Sequence, residues 1–187
     1  MRRNWPHVAL WSALGLACAH GSVGAQTTDS EVVTFRERNL SGPRLGVTYV
    51  MGQGELWQDL DRQEMGRTIS QFGWHFEHQI VPRGGGPQFV MEAVPLVGGV
   101  EYGKIIPGIT LAMGIRFPSG YEFGIGPNAT IVNPTDAAIK TRTALAIAIG
   151  RNFSYGGVNL PLNLVLITSP RGQRLAFIVG YAIQRVR

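Results

Sequence analysis

The chain has 187 residues, with 17 Lys or Arg against 12 Asp or Glu for a formal net charge of +5, and one cysteine, Cys18. That length suits a single domain with a real core, and a lone cysteine excludes an intramolecular disulfide. The basic residues are dispersed rather than clustered, which argues against nucleic acid as a partner.

Residues 1–25 read as a secretory signal. Arg2 and Arg3 form a positive start, "VALWSALGLACA" (8–19) is the apolar stretch, and "VGA" (23–25) offers small residues for cleavage before Gln26. The apolar run is shorter than the ~20 residues a transmembrane helix needs. Cys18 follows "LGLA", but Gly15 stands where a lipoprotein signal has a branched apolar residue, so lipidation is disfavoured. Cleavage leaves 162 residues with no cysteine, and the charge falls to +3 because Arg2 and Arg3 leave while all twelve acids stay. Most remaining basic residues are arginine, a mild basicity that suits anionic lipid headgroups.

Residues 26–43 ("QTTDSEVVTFRERNLSGP") are polar and read as a linker or N-terminal tail. From Arg44 to Arg187 the chain is a series of alternating segments separated by Gly, Pro, Asn and Ser clusters. The exception is "GELWQDLDRQEMG" (54–66), where Leu56, Leu60 and Glu64 can share a helical face; it reads as a loop with a helical turn. The pattern predicts eight strands, at 44–51, 67–81, 88–102, 104–117, 120–132, 139–151, 156–168 and 173–185. Their connections, "PRGGGP", "PSG", "NPTDAA" and "SPRGQ", are short, which suits an antiparallel up-and-down barrel rather than βαβ crossovers. Strands of ten or more residues are long for a soluble sandwich and right for tilted membrane strands.

The two faces of these strands differ in size more than in polarity. In the fourth, Ile109, Leu111, Met113, Ile115 and Phe117 oppose Thr110, Ala112, Gly114 and Arg116. In the fifth, Tyr121, Phe123, Ile125, Ala129 and Ile131 oppose Glu122, Gly124, Gly126, Asn128 and Thr130. In the sixth, Leu145, Ile147 and Ile149 oppose Ala144, Ala146, Ala148 and Gly150. In the seventh, Leu160, Leu162, Leu164 and Leu166 oppose Asn159, Pro161, Asn163 and Val165, and in the eighth Leu175, Phe177, Val179 and Tyr181 oppose Ala176, Ile178, Gly180 and Ala182. A soluble barrel puts large side chains inside and studs its outside with Lys and Glu. Here the only lysines from 104 to 187 are Lys104 and Lys140, both near strand ends. The pattern predicts the inverse: large apolar residues facing lipid, small and polar ones facing a narrow lumen.

The signal, the eight dyad-patterned strands, the aromatics near strand ends (Tyr49, Trp74, Tyr102, Phe117, Tyr121, Tyr155) and the stretches "GYEFGIGPN" and "GGVNLPLNLVL" together resemble small bacterial outer-membrane β-barrel proteins over residues 44–187. The resemblance implies a Gram-negative outer-membrane location, lipids and the barrel-assembly machinery as partners, a porin-like architecture, and no catalytic assignment. One departure is the ending "GYAIQRVR", where members commonly close on an aromatic residue.

Chemical candidates are few. His75 and His78 in "HFEH" fall on opposite faces of a strand, so no metal site is expected there. His75 and Glu77 share a face and form a candidate acid–base or hydrogen-bonded pair. Ser70 lies on the face opposite His75, and Ser154 and Ser169 fall in turns, so no nucleophile–base pair assembles. "GQGELWQ" and "RGGGP" lack the helix and Lys-Ser/Thr of a phosphate loop. The better constellation is Glu77, Glu92, Arg116, Glu122 and Arg142, all directed inward as a lumen charge network, read as structural pairing that plugs the lumen, with a selective constriction as the functional variant. The expected function is a non-enzymatic integral outer-membrane barrel without cofactor, serving envelope structure or very limited solute passage. The alternatives are a periplasmic, lipocalin-like carrier of lipid or another hydrophobic ligand and a lipid-modifying barrel enzyme using His75 and Glu77.

Overall fold

Alternation of large and small residues settles where each strand's faces turn once neighbours pair. The structure, a computed structural model, describes residues 40–82, 86–132 and 140–183; the expected signal (1–25) and nearly all of the expected tail (26–43) lie outside the described residues. The elements are β1 (Gly42–Met51), α1 (Glu55–Asp61), β2 (Thr68–Ile80), β3 (Gln88–Gly98), a 3-10 turn (Val100–Tyr102), β4 (Ile106–Arg116), β5 (Tyr121–Val132), β6 (Lys140–Tyr155), β7 (Val158–Ser169), β8 (Gly172–Gly180) and β9 (Ala182–Ile183). Each strand from β1 to β8 pairs antiparallel with the next, and β8 pairs back onto β1. β9 continues β8 in the same register against β7. The result is a closed, eight-stranded, antiparallel up-and-down β-barrel.

Closure fixes the geometry. Following paired residues from Thr48 to Ile69 and onward around the wall returns to β1 about ten residues further along. A stagger of that size tilts eight strands by about 40°, so a ten-residue strand rises roughly 25 Å along the axis. The interior is then only as wide as a few side chains. Glycine and alanine fill much of it, and the large residues go outside: Phe123 is 49% exposed whereas its neighbour Glu122 is 8%. Leu45, Phe72, Leu111, Met113, Ile147, Leu164 and Phe177 carry the same exposed apolar face around the wall.

Three strands depart from expectation by more than two residues. The third strand stops at Gly98, because Gly99 and Gly103 adopt positive φ and wrap Val100–Tyr102 into a 3-10 turn. The sixth runs on to Tyr155, since Phe153 and Tyr155 keep the outward alternation going. The eighth is broken at Tyr181. The expected helical turn is α1, but Glu64 does not join its face; it takes a positive φ in the turn that follows.

The break in the eighth strand belongs to a pattern. Ladder pairs are missing opposite Pro95 between β2 and β3, opposite Pro127 between β4 and β5, and opposite Pro161 between β7 and β8. Proline has no N–H to donate, so a ladder bond is lost there. The register is the same on both sides of each gap, so these are local openings and not bulges.

Two of the barrel's lumen glycines make opposite demands. A Cβ at Gly126 would overlap the Leu111 carbonyl oxygen and come within 2.8 Å of Ala112 Cα, both backbone atoms that cannot yield, whereas a Cβ at Gly124 meets nothing closer than 3.8 Å. Gly126→Val should therefore destabilise the barrel by about 3 kcal/mol or more, while Gly124→Ala should melt within a few degrees of the unaltered protein. Thermal melts followed by circular dichroism compare the two; equal melts would mean that β4 and β5 do not approach as described.

Candidate functional site

The lumen has three storeys. At the end carrying the short turns 117–120 and 156–157, here the turn end, the inward residues are charged. In the middle lies an apolar belt of Ala146, Val165, Ile167, Ala176 and Ile178, with Leu96 packed against it. At the opposite, helix end, α1 folds over the mouth, burying Leu60 with Val50, Met65 and Ile69. The backbone N–H of Leu56 donates to the Arg171 carbonyl at 3.0 Å, tying α1 to the β7–β8 turn.

At the turn end the ladder brings Glu77 directly opposite Glu92, and Arg116 directly opposite Glu122. Two like charges facing each other across a ladder repel unless a cation intervenes. Arg116, only 2% exposed, is that cation. Its Nη1 and Nη2 donate to Glu77 Oε1 and Oε2 at 3.1 and 2.7 Å, its Nε donates to Glu122 Oε2 at 2.9 Å, and Nη2 lies 3.8 Å from Glu92 Oε1. The planar guanidinium thus grips one carboxylate with two donors and a second with a third. Asn163, with its amide nitrogen turned to Glu122, donates to Oε1 at 2.9 Å. Gly150, the ladder partner of Glu122, leaves the space that this pair fills.

A second layer closes the same end. Arg44, buried on β1, donates through Nη2 to the Leu40 carbonyl at 2.6 Å and to His75 Nδ1 at 3.0 Å. A guanidinium only donates, so His75 Nδ1 accepts and the ring carries its proton on Nε2, facing Glu92 Oε2 at 3.7 Å. Leu40 is fully buried, and its N–H donates to Glu77 Oε1 at 2.6 Å. The last residues of the expected tail are therefore part of the barrel, and the strand starts at Gly42 rather than Arg44.

Of the five residues predicted as a lumen charge network, Glu77, Glu92, Arg116 and Glu122 converge here. Arg142 also faces inward, but at the helix end, where its Nη2 pairs with Asp59 of α1. Asp59 is shared with Arg62. Sequence reasoning did not include Arg44, Asn163, Asp59 or Arg174. A signal for Arg44 existed: Leu45, Val47 and Tyr49 alternate on β1, which leaves Arg44 and Thr48 on the other face.

The chemistry available at these sites is limited. His75, Glu77 and Glu92 offer three possible metal-ligand atoms within 4.8 Å of one another. Arg116 already pairs with the two carboxylates, at 2.7 Å from Glu77 and 3.8 Å from Glu92. His78 points outward, away from His75. Ser70 also faces outward and bonds Glu101 Oε2 at 2.6 Å; Ser154 donates to Asn159 Oδ1 at 2.6 Å, and Ser169 to the Gly172 carbonyl at 3.1 Å. None of these three hydroxyls is set against His75.

Two predictions follow from the two ends. Arg116→Leu leaves buried carboxylates facing each other and should cost ~3–5 kcal/mol, whereas Glu122→Gln, which keeps the Arg116–Glu77 fork, should cost clearly less; chemical denaturation of both variants checks the order. At the helix end, burial pushes the Asp59 carboxyl up, but hydrogen bonds from Arg62 and Arg142 outweigh it and hold it below the usual carboxylate range. A depressed folded-state value stabilises above the unfolded one, ~3.9, and the stabilisation is lost as pH falls through the folded value. The stability gap between the unaltered chain and Asp59→Asn should accordingly shrink from about pH 5 towards about pH 2; a gap constant with pH would show that Asp59 is not held as an ion.

The chain matches no protein-family model and no curated protein, so its function is read from this geometry.

Proposed function

We propose that this protein is an integral outer-membrane β-barrel, non-enzymatic, whose lumen is closed by its own side chains and which serves the structure of the envelope or very limited passage through it. The observation that carries this reading is the outer face. Large apolar residues stand exposed on every strand from β1 to β8, Met113 at 67% among them. In water a band of that extent promotes aggregation; in hydrocarbon it is matched to its solvent, and a band roughly 25 Å tall fits a membrane barrel. The closed ladder supports the same reading, since a membrane tolerates no open sheet edge.

The rim adds to it. Trp74, Phe76, Phe89, Phe117, Tyr121, Phe153 and Tyr155 gather towards the turn end. Among them Arg151 lies over the Tyr121 ring at 4.9 Å and the Phe153 ring at 5.0 Å, and donates to the Tyr121 hydroxyl at 3.2 Å. Aromatic belts with an adjacent cation suit the headgroup level. Outer-membrane barrels keep short turns on the periplasmic side, which puts α1 on the outer surface and the Arg116 cluster near the periplasm.

A lipocalin-like carrier needs its large apolar residues turned inward around a ligand. Here they face out, and the cavity along the apolar belt is only about 90 Å³, with one of about 260 Å³ beneath α1. For the lipid-modifying reading, Ser70, Ser154 and Ser169 are all engaged away from His75, whose nitrogens are engaged by Arg44 and Glu92.

Membrane fractionation tests the proposal. The protein should sediment with the outer membrane, need detergent for extraction, and migrate differently on gels before and after boiling. Leu164→Arg, which puts a charge at mid-height on the outer face, should cut the folded fraction by the ~2–4 kcal/mol of an arginine in hydrocarbon. A chain that stays soluble in the periplasmic fraction without detergent, with Leu164→Arg folding normally, would overturn it.

A further inference from the structure

The helix end holds a cavity of about 260 Å³ beneath α1, separate from the Arg116 cluster. Two inward arginines line it, Arg142 from β6 and Arg174 from β8, and among the described residues few carboxylates stand near them. Arg142 has one carboxylate, Asp59, which is already shared with Arg62. The Nε of Arg142 is buried and has no hydrogen-bond partner among the described residues. Arg174 reaches no carboxylate among them; its Nη2 donates to Asn128 Oδ1 at 3.0 Å. Arg171, also at the rim, is matched by Glu55 at 3.6 Å. Among the described residues the two guanidiniums thus have one carboxylate near them, Asp59, which pairs with Arg142 and Arg62 and not with Arg174. A confined cation without its counter-charge is costly unless an anion supplies it.

The remaining wall is mixed, with Gln63, Thr130 and Thr143 beside an apolar side. Leu60, Ile106 and Val132 line it, and the belt of Ala146, Val165 and Ile167 begins directly below Arg174. Arginine fits a carboxylate through a planar, two-donor fork, and the neighbouring apolar wall suits a hydrocarbon tail. A small hydrated inorganic ion uses only the first of these features.

We propose that the cavity between α1 and the inner wall is a binding site for a small organic carboxylate with a short apolar tail, its head held by Arg174 and Arg142 and its tail laid against Leu60, Ile106 and Val132. Asp59, by engaging Arg142, holds α1 over the bound tail. The site lies inside the barrel, so the proposal does not depend on what surrounds the outer face.

Hexanoate is the probe, measured by equilibrium dialysis of the labelled acid against the folded full-length barrel in detergent. Hexanamide has the same tail without the charge, and inorganic phosphate has charge without a tail. Hexanoate should bind about ten-fold or more tightly than hexanamide, and phosphate should compete poorly. Arg174→Gln should weaken hexanoate by about ten-fold or more, while Arg174→Lys, which keeps the charge and loses the fork, should fall between the two. If Arg174→Gln does not fold, the hexanoate-to-hexanamide ratio on the unaltered barrel decides alone. Equal binding of the two, or undiminished binding by folded Arg174→Gln, overturns the site. Phosphate displacing hexanoate efficiently overturns the assignment to tailed carboxylates. Failure of this test leaves fractionation with the outer membrane unaffected, so the two readings fail separately.

Discussion

Everything in this molecule is arranged around the narrowness of an eight-stranded cylinder. At the stagger set by its registers there is room inside for small side chains and a few well-placed large ones, and no more. Side chains alternate in and out along every strand, so what the interior refuses must go outside. The exposed Leu, Ile and Phe residues are thus the other half of the same constraint that requires glycine at position 126, where a Cβ would meet backbone. The inside half is met by small side chains and close packing.

Within so small a space, charge needs the same economy as volume. Three carboxylates at the turn end would be untenable without Arg116, whose five donors in a rigid plane serve two of them directly and approach the third. A lysine would offer a single point charge to the same group. The two ends of the lumen are unlike. One is acid-rich and internally satisfied; the other is arginine-rich and only partly neutralised by α1. The apolar belt between them keeps the two electrostatic systems apart and lets each be read separately.

Much of this was legible in the chain. Period-two alternation gave eight strands and their faces, and the inward direction of Glu77, Glu92, Arg116 and Glu122 followed from parity alone. Grouping was harder. Parity says which side a residue takes but not its height on the axis, so Arg142 read as a member of a cluster that lies at the opposite mouth. Asp59 stands 83 positions from Arg142 in sequence and reaches it only because α1 folds back over the opening; no local pattern records that. The burial of Leu40 likewise depends on the β1–β2 pairing, which brings Glu77 to the mouth beside Arg44 from 33 positions away. Signals confined to one segment were readable, and those created by bringing distant segments together were not.

The gaps at Pro95, Pro127 and Pro161 carry a mechanical consequence. They occur on β3, β5 and β7, alternate strands, so the openings are distributed around the circumference instead of aligned along one seam. A wall bonded without interruption resists changes in cross-section, because any flattening strains every ladder at once. A wall with separate compliant spots can turn slightly elliptical by pivoting at each, while the intact registers on either side keep the hoop closed. The tube can then follow lateral pressure from its surroundings by changing shape and not by losing bonds.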